Sequence, residues 1–224
     1  MDFHYTYIIM AFGLVLTGHF INLIAFTSLI IIHEFGHVIT ATIYKYRIKK
    51  ITIYPYGGIT EFDTLVNTKI EKDLLIAISG IIFQSIYFYT IFFLYRNGII
   101  REYTYNLFFT YHNSMLLFNV LPIIPLDGSK IINLIFSKYL NLNFSNNLTV
   151  LISFITLSMI LIGGIYEKNY SMVMVVFILL QNIWNYYKKI EYIYNKFVLE
   201  RYLYNIKYKS FKIINNKNKM YKNK

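Results

Sequence analysis

Ile31–Thr40 reads IIHEFGHVIT, inside an apolar run from Phe20 to Tyr44. Apart from His33, Glu34 and His37, that run carries no charged or imidazole side chain. Its 25 residues are enough to cross a bilayer as a helix. On such a helix, positions 33 and 37 sit one turn apart on one face, about 6 Å along the axis. Two imidazoles so placed can ligate one metal ion. Glu34, beside the first of them, can reach a water on that ion as general base. The pattern is HExxH, with the mechanics of a zinc hydrolase. On a soluble helix the same five residues would form a solvated polar face. The lipid-like flanks exclude that reading here. A carboxylate and two imidazoles at membrane depth cost on the order of a few kcal/mol unless something compensates them. A metal supplies the compensation.

The rest of the chain has the composition of a polytopic membrane protein. Its 224 residues are 56% hydrophobic and 19% aromatic, with only 15% charged. There is no cysteine, which excludes disulfides and thiolate metal sites and leaves imidazole and carboxylate as ligands. The first twenty residues carry Asp2 and His4 but no Lys or Arg. The first apolar run is therefore expected to remain as a span and not to be cleaved as a signal peptide.

Six apolar runs are expected to cross the membrane: Tyr5–Leu16, Phe20–Tyr44, Leu74–Tyr95, Tyr103–Leu126, Leu148–Tyr166 and Tyr170–Tyr187. The third is interrupted by Ser79-Gly80 and Gln84. Ile51–Phe62, ITIYPYGGITEF, combines β-branched and aromatic residues around Pro55 and Gly57-Gly58, and reads as a hairpin. Thr60–Asp73 reads as a surface loop and Ser137–Asn147 as a polar linker. The expected fold class is an all-α polytopic membrane protein of about six transmembrane helices with a short membrane-associated β-hairpin. The expected division is a transmembrane metalloprotease domain over 1–187 and a basic cytoplasmic tail over 188–224.

Six spans place both termini on one side. That side then receives six, two and eleven Lys and Arg from two loops and the tail, against three on the other. The positive-inside rule sets both termini in the cytoplasm. The net charge of +11 is thereby explained without nucleic acid as a partner. The start of the tail, KKIEYIYNKFVLERYLYNIKYK, reads equally as an amphipathic helix on anionic lipid or as a solvated segment.

A catalytic zinc site has three protein ligands and one open position. Of the eleven Asp and Glu, Glu34 lies inside an apolar span and Asp127 closes the fourth. Asp127 follows Pro122 and Pro125, which remove backbone donors and break regular helix. Broken helix at membrane depth is tolerated where it is buried or lines a cavity. Asp127 therefore reads either as a helix-end cap, given Gly128, or as the third ligand beside His33 and His37. Topology favours the ligand, since the spans carrying both motifs descend to the same side. His112 lies mid-span, where a packed or hydrogen-bonded role is expected. His4 and His19 border the first span.

HEFGH in one span, NVLPIIPLDG (Asn119–Gly128) closing a later one and PYGG (Pro55–Gly58) between them resemble the site-2 protease family of intramembrane zinc metalloproteases. With LTGH at Leu16–His19, the chain more closely resembles its sporulation branch, the SpoIVFB-type proteases, from about Leu16 to Arg201. The resemblance implies zinc bound by His33, His37 and Asp127, with Glu34 as catalytic acid and base. It implies that Asn119 orients substrate or polarises the scissile carbonyl. Ile51–Glu61 would receive an extended substrate at its edge, since strand addition satisfies the backbone groups freed by unwinding. The implied activity is regulated intramembrane proteolysis of a membrane-associated, inactive pro-sigma factor of the pro-sigma-K type. The implied place is the mother-cell membrane around the forespore. Inhibitory membrane partners similar to SpoIVFA and BofA are implied, with the lipid bilayer as surroundings. Such proteases usually carry a C-terminal CBS domain of roughly a hundred residues, a common domain size. The segment after the last span is too short to build it, so that domain is expected to be lacking. Close relatives also often carry Gly-Pro in the third span, where this chain has Gly80-Ile81.

Three other readings make different demands. A site-2 protease acting on an anti-sigma factor or a signal-peptide remnant would use the same residues. A membrane metal transporter would be expected to carry ionisable groups along several spans. A non-catalytic scaffold would usually have lost Glu34 or a ligand.

Overall fold

A computed structural model describes residues 2–55, 57–168 and 170–204. The chain runs β1 (Asp2–Phe3), α1 (Tyr5–Leu16), α2 (Phe20–Ile43), β2 (Arg47–Tyr54), β3 (Gly57–Asp63), α3 (Ile70–Arg96) and α4 (Glu102–Val120). It continues with α5 (Asp127–Tyr139), α6 (Leu142–Tyr166) and α7 (Tyr170–Leu203). Among the described residues the fold is mostly helical with one small sheet. It divides into two compact units. The first is the chain up to Asp63 with Leu75–Asn119; the second is Thr64–Leu74 with the chain from Val120 onward.

Among the described residues, three helices are long and apolar enough to cross a membrane: α2, α3 and α6. At 12 residues α1 is about 18 Å long, short of the roughly 30 Å hydrocarbon core if it stands upright. Many large apolar side chains point outward, among them Phe12, Phe93, Leu117, Met159 and Phe177. That is the surface expected of helices solvated by lipid and not by water.

In the first unit, α1 and α2 are joined by a tight reversal. Gly18 takes φ 76°, and the amides of Gly18 and His19 donate to the carbonyls of Val15 and Leu14. This is a Schellman cap, which needs the left-handed conformation glycine adopts freely. Helix α2 ends in the same geometry with Lys45 at φ 62°, a placement that costs a non-glycine residue on the order of 1 kcal/mol. The cap turns the chain at once into β2. A core of Tyr7, Ala25, Leu29, Ile30, Ile53, Ile91, Phe108 and Met115 draws on α1, α2, β2, α3 and α4.

The hairpin is longer than the sequence suggests. Strands β2 and β3 pair antiparallel from Arg47↔Asp63 to Tyr54↔Gly57, with a bulge between Ile48 and Lys50. The strand β1 was not expected; it pairs in parallel with β2 through Asp2↔Thr52 and Phe3↔Ile53. The sheet order is β1-β2-β3, which leaves β3 at an edge.

In the second unit the expected polar linker at Ser137–Asn147 is largely helical. Helix α5 runs to Tyr139, and α6 starts at Leu142 under an Asn141 cap, whose Oδ1 accepts from the amide of Phe144 at 2.7 Å. The polar face of α5 is turned inward. The Asn133 amide donates to Asn146 Oδ1 and Thr149 Oγ1, and the hydroxyls of Ser137 and Ser145 meet at 3.0 Å. Helix α7 continues past the expected span end at Tyr187 to Leu203, so the helical part of the KKIEYIYNKFVLERYLYNIKYK segment is Lys188–Leu203. The remainder of that segment, from Asn205, lies outside the described residues. Near its end, buried Glu200 accepts from the backbone and side-chain amides of Asn67, both at 3.0 Å. Arg201 Nε donates to Asn67 Oδ1 at 2.9 Å.

Candidate metal centre

His33, Glu34 and His37 form one buried cluster, each 2–4% exposed. Their ligand atoms lie within 4.8 Å of one another. Helix periodicity alone brings the two imidazoles to one face, and their rings meet edge-on at 4.8 Å between centroids. The Nε2 atoms stand 3.1 Å apart.

Helix α3 builds the floor of this cluster with residues spaced four apart. The backbone carbonyl of Ile76 faces His37 Nδ1 at 2.7 Å. Gly80 lies under both rings; a Cβ there would meet His37 Nε2 at 2.4 Å and His33 Nε2 at 2.7 Å. Gln84, wholly buried, places Oε1 3.1 Å from His33 Nδ1. The helices approach closely because Gly36 has no side chain. A Cβ on it would stand 2.7 Å from the Ser79 carbonyl.

The hydrogen bonds decide the tautomers. Both Nδ1 atoms face oxygen acceptors, so both carry the proton. With Nδ1 protonated, Nε2 carries the lone pair each ring can offer a metal, and the two Nε2 atoms stand 3.1 Å apart. Two acceptors aimed at one point are the donor set a cation requires, and the outer bonds are those that metal-ligating histidines make. The residues present fit a metal ion.

The hairpin covers Glu34. Thr60 Oγ1 donates to Glu34 Oε2 at 2.6 Å. Gly58 lets β3 lie directly on the carboxylate; a Cβ there would fall 2.3 Å from Glu34 Cγ and 2.5 Å from Oε1. The sequence marks Gly57-Gly58 as a turn, whereas Gly58 serves close backbone approach.

Asn119 and Asp127 flank the break that the prolines impose. Asn119 is the penultimate residue of α4 and is buried. The helix stops at Val120, short of the Leu126 expected. Between the helices, Ser153 Oγ donates to the Pro122 carbonyl at 3.0 Å and accepts from the Ile124 amide at 3.2 Å. A serine on α6 thus satisfies backbone that regular helix no longer serves. Asp127, 4% exposed, opens α5 in the second unit. Lys130 Nζ holds its Oδ1 at 2.9 Å. Gly128 is obligatory by packing, since a Cβ would stand 2.2 Å from the Val120 carbonyl.

His112 is buried and hydrogen-bonded, stacked on Phe88 with ring centroids 4.4 Å apart. His4 caps α1, its Nδ1 accepting from the Thr6 amide.

Comparison with known proteins bears on this cluster. The profile of peptidase family M50 matches residues 21–107, which include the cluster and its α3 floor. Stage IV sporulation protein FB of Bacillus subtilis is 31% identical over 200 residues, covering 88% of this chain and 69% of that protein. The chain belongs to peptidase family M50. A zinc metalloprotease of Methanocaldococcus jannaschii is 27% identical over 149 residues. That match covers 65% of this chain, which spans under half (43%) of the relative. The solved site-2 protease from Methanocaldococcus jannaschii has the same fold, with a TM-score of 0.66 over 82% of this chain and 88% of that one at 23% identity. As an M50 member the chain is a membrane-embedded metallopeptidase.

Proposed function

We propose that the chain is a six-span, zinc-dependent endopeptidase that processes a membrane-associated pro-sigma factor in a sporulating cell. The observation that carries the chemistry is the buried cluster in which the Nε2 atoms of His33 and His37 stand 3.1 Å apart with the Glu34 carboxylate beside them. Likeness to a sporulation protein over most of both chains supports the biological setting. The catalytic domain is 1–187 and the basic tail 188–224. Both termini are cytoplasmic, and the membrane is that of the mother cell around the forespore. Membrane proteins similar to SpoIVFA and BofA are the proposed inhibitory partners.

His33, His37 and Asp127 would hold the zinc, with one position left to water. When bound, the ion supplies Lewis acidity to that water and to the scissile carbonyl. Glu34 removes the proton from the attacking water and returns it to the departing amine nitrogen. Thr60 fixes one carboxylate oxygen of Glu34, which sets the direction of the other. The carboxamide of Asn119 orients the substrate backbone. The unwound substrate adds as a strand to the β3 edge, so its freed N–H and C=O groups find partners at membrane depth.

The test is Glu34→Gln, assayed for zinc content and for cleavage of a co-expressed pro-sigma factor. Full zinc occupancy with no cleavage is expected, because Glu34 is a base and not a ligand. Retained cleavage would end the assignment. Cleavage of an anti-sigma factor with the pro-sigma factor untouched would keep the enzyme and replace its substrate.

A further inference from the structure

The polar contacts behind His33, through Gln84 to His112, have no part in the chemistry just described. Gln84 is wholly buried in a helix apolar enough to span the membrane. A carboxamide in such a place must satisfy two donors and an acceptor without water. Its Nε2 donates to the backbone carbonyl of His112 at 3.1 Å and to the ring Nδ1 of His112 at 3.2 Å. Both partners accept only in this arrangement, and a flipped amide would set oxygen against oxygen. The orientation of Gln84 is therefore decided by α4. Oε1 is left facing His33 Nδ1.

That contact chooses between two states of His33. With the proton on Nδ1, Nε2 offers a lone pair toward His37. With the proton on Nε2, His33 would donate to His37 Nε2 across the same 3.1 Å and the pair would close as an ordinary hydrogen bond. A cation can enter only in the first state. His37 has its own backbone acceptor at Ile76, whereas His33 depends on a side chain. Phe88, one turn beyond Gln84 on α3, stacks on the His112 ring at an interplanar angle of 5° and holds it in place.

We propose that Gln84, oriented by His112, is a positioning residue that holds His33 in its metal-binding tautomer. The inference rests on the reading of His33 as a ligand. Its arrangement is a relay across three helices: α4 fixes the amide, the amide fixes the proton, and the proton fixes the lone pair. Partners of this kind are commonly worth about 10–100-fold in metal affinity.

The experiment measures Zn2+ affinity of the purified full chain in detergent by competition with a chromophoric chelator. Gln84→Leu should weaken zinc binding roughly 10–100-fold. Gln84→Glu restores an oxygen facing His33 but lacks the amide donors to His112; it should bind within about threefold of the wild type, as a carboxylate serves the same outer bond. Equal affinity for wild type and Gln84→Leu would overturn the proposal. So would a loss in Gln84→Glu as large as in Gln84→Leu, since a carboxylate presents an oxygen to His33 whichever way it turns and the loss would then come from packing and not from the acceptor. If Gln84→Leu does not fold, Gln84→Met, which keeps the side-chain length and lacks the acceptor, takes its place with the same expected loss. His33→Ala separates the two levels. Unchanged zinc affinity there would defeat the ligand reading itself, whereas a loss there with none in Gln84→Leu would defeat only the relay.

Discussion

Replacing Gly80 by alanine tests the metal centre with a single methyl group. The new Cβ would lie 2.4 Å from His37 Nε2 and 2.7 Å from both His33 Nε2 and His37 Cε1. Ordinary van der Waals contact begins at 3.4 Å, so about 1 Å must be found at His37 and slightly less at His33. Neither ring can give it cheaply. His37 is anchored at 2.7 Å to the Ile76 carbonyl on the same helix, and His33 is held by Gln84. Separating the helices is opposed by the close packing of Gly36 on Ser79. Overpacking of this kind costs about 1–3 kcal/mol. Metal binding needs both Nε2 atoms at their posts, so that cost should appear as a loss of roughly 5–150-fold in zinc affinity. The assay is zinc competition in detergent, with thermal unfolding of the metal-free protein alongside. Gly163→Ala is the control, because nothing lies within 4 Å of that position. It should keep its zinc affinity and gain up to about 1 kcal/mol from helix propensity. Wild-type zinc affinity in Gly80→Ala would refute the placement of the site between these two rings.

Further outcomes are expected elsewhere. Thr60→Val removes the hydroxyl that holds Glu34 Oε2; kcat should fall about tenfold with KM and zinc content unchanged, in line with a lost bond to a charged group, and Thr60→Ser should restore it. Glu200→Ala removes the acceptor of the Asn67 backbone amide and of one of its side-chain N–H bonds, while Nδ2 keeps the Phe197 carbonyl; it should cost about 1–3 kcal/mol, read as a lower unfolding temperature and faster proteolysis at Thr64–Leu74. A cysteine at Asn97, in a chain with no other, should react with an impermeant reagent only from the non-cytoplasmic face; labelling from the cytoplasm would reverse the proposed topology.

The residues that act on their own helix or chain segment were legible without coordinates. HExxH needs only the 3.6-residue period to bring His33 and His37 together, and its apolar flanks declare membrane depth. Pro122 and Pro125 end α4 through their own covalent geometry, so a break before Asp127 follows from local chemistry. Gly18 stops α1 for the same reason. Polarity in the sequence does not by itself mean exposure. Ser137–Asn147 reads as a linker because Ser137, Ser145 and Asn146 are polar, but in a lipid-facing protein such residues turn inward, Ser137 to Ser145 and Asn146 to Asn133. Strand β1 is two residues long, and only its parallel partner makes it a strand. Ser79-Gly80 and Gln84 were visible as interruptions of an apolar span, and Ile76, Gly80 and Gln84 even share one helical face. Their meaning depends on which helix that face meets. A glycine that makes room, a carbonyl that anchors a ring and an amide that selects a tautomer are defined by a partner distant in sequence. Tertiary packing alone brings that partner within reach.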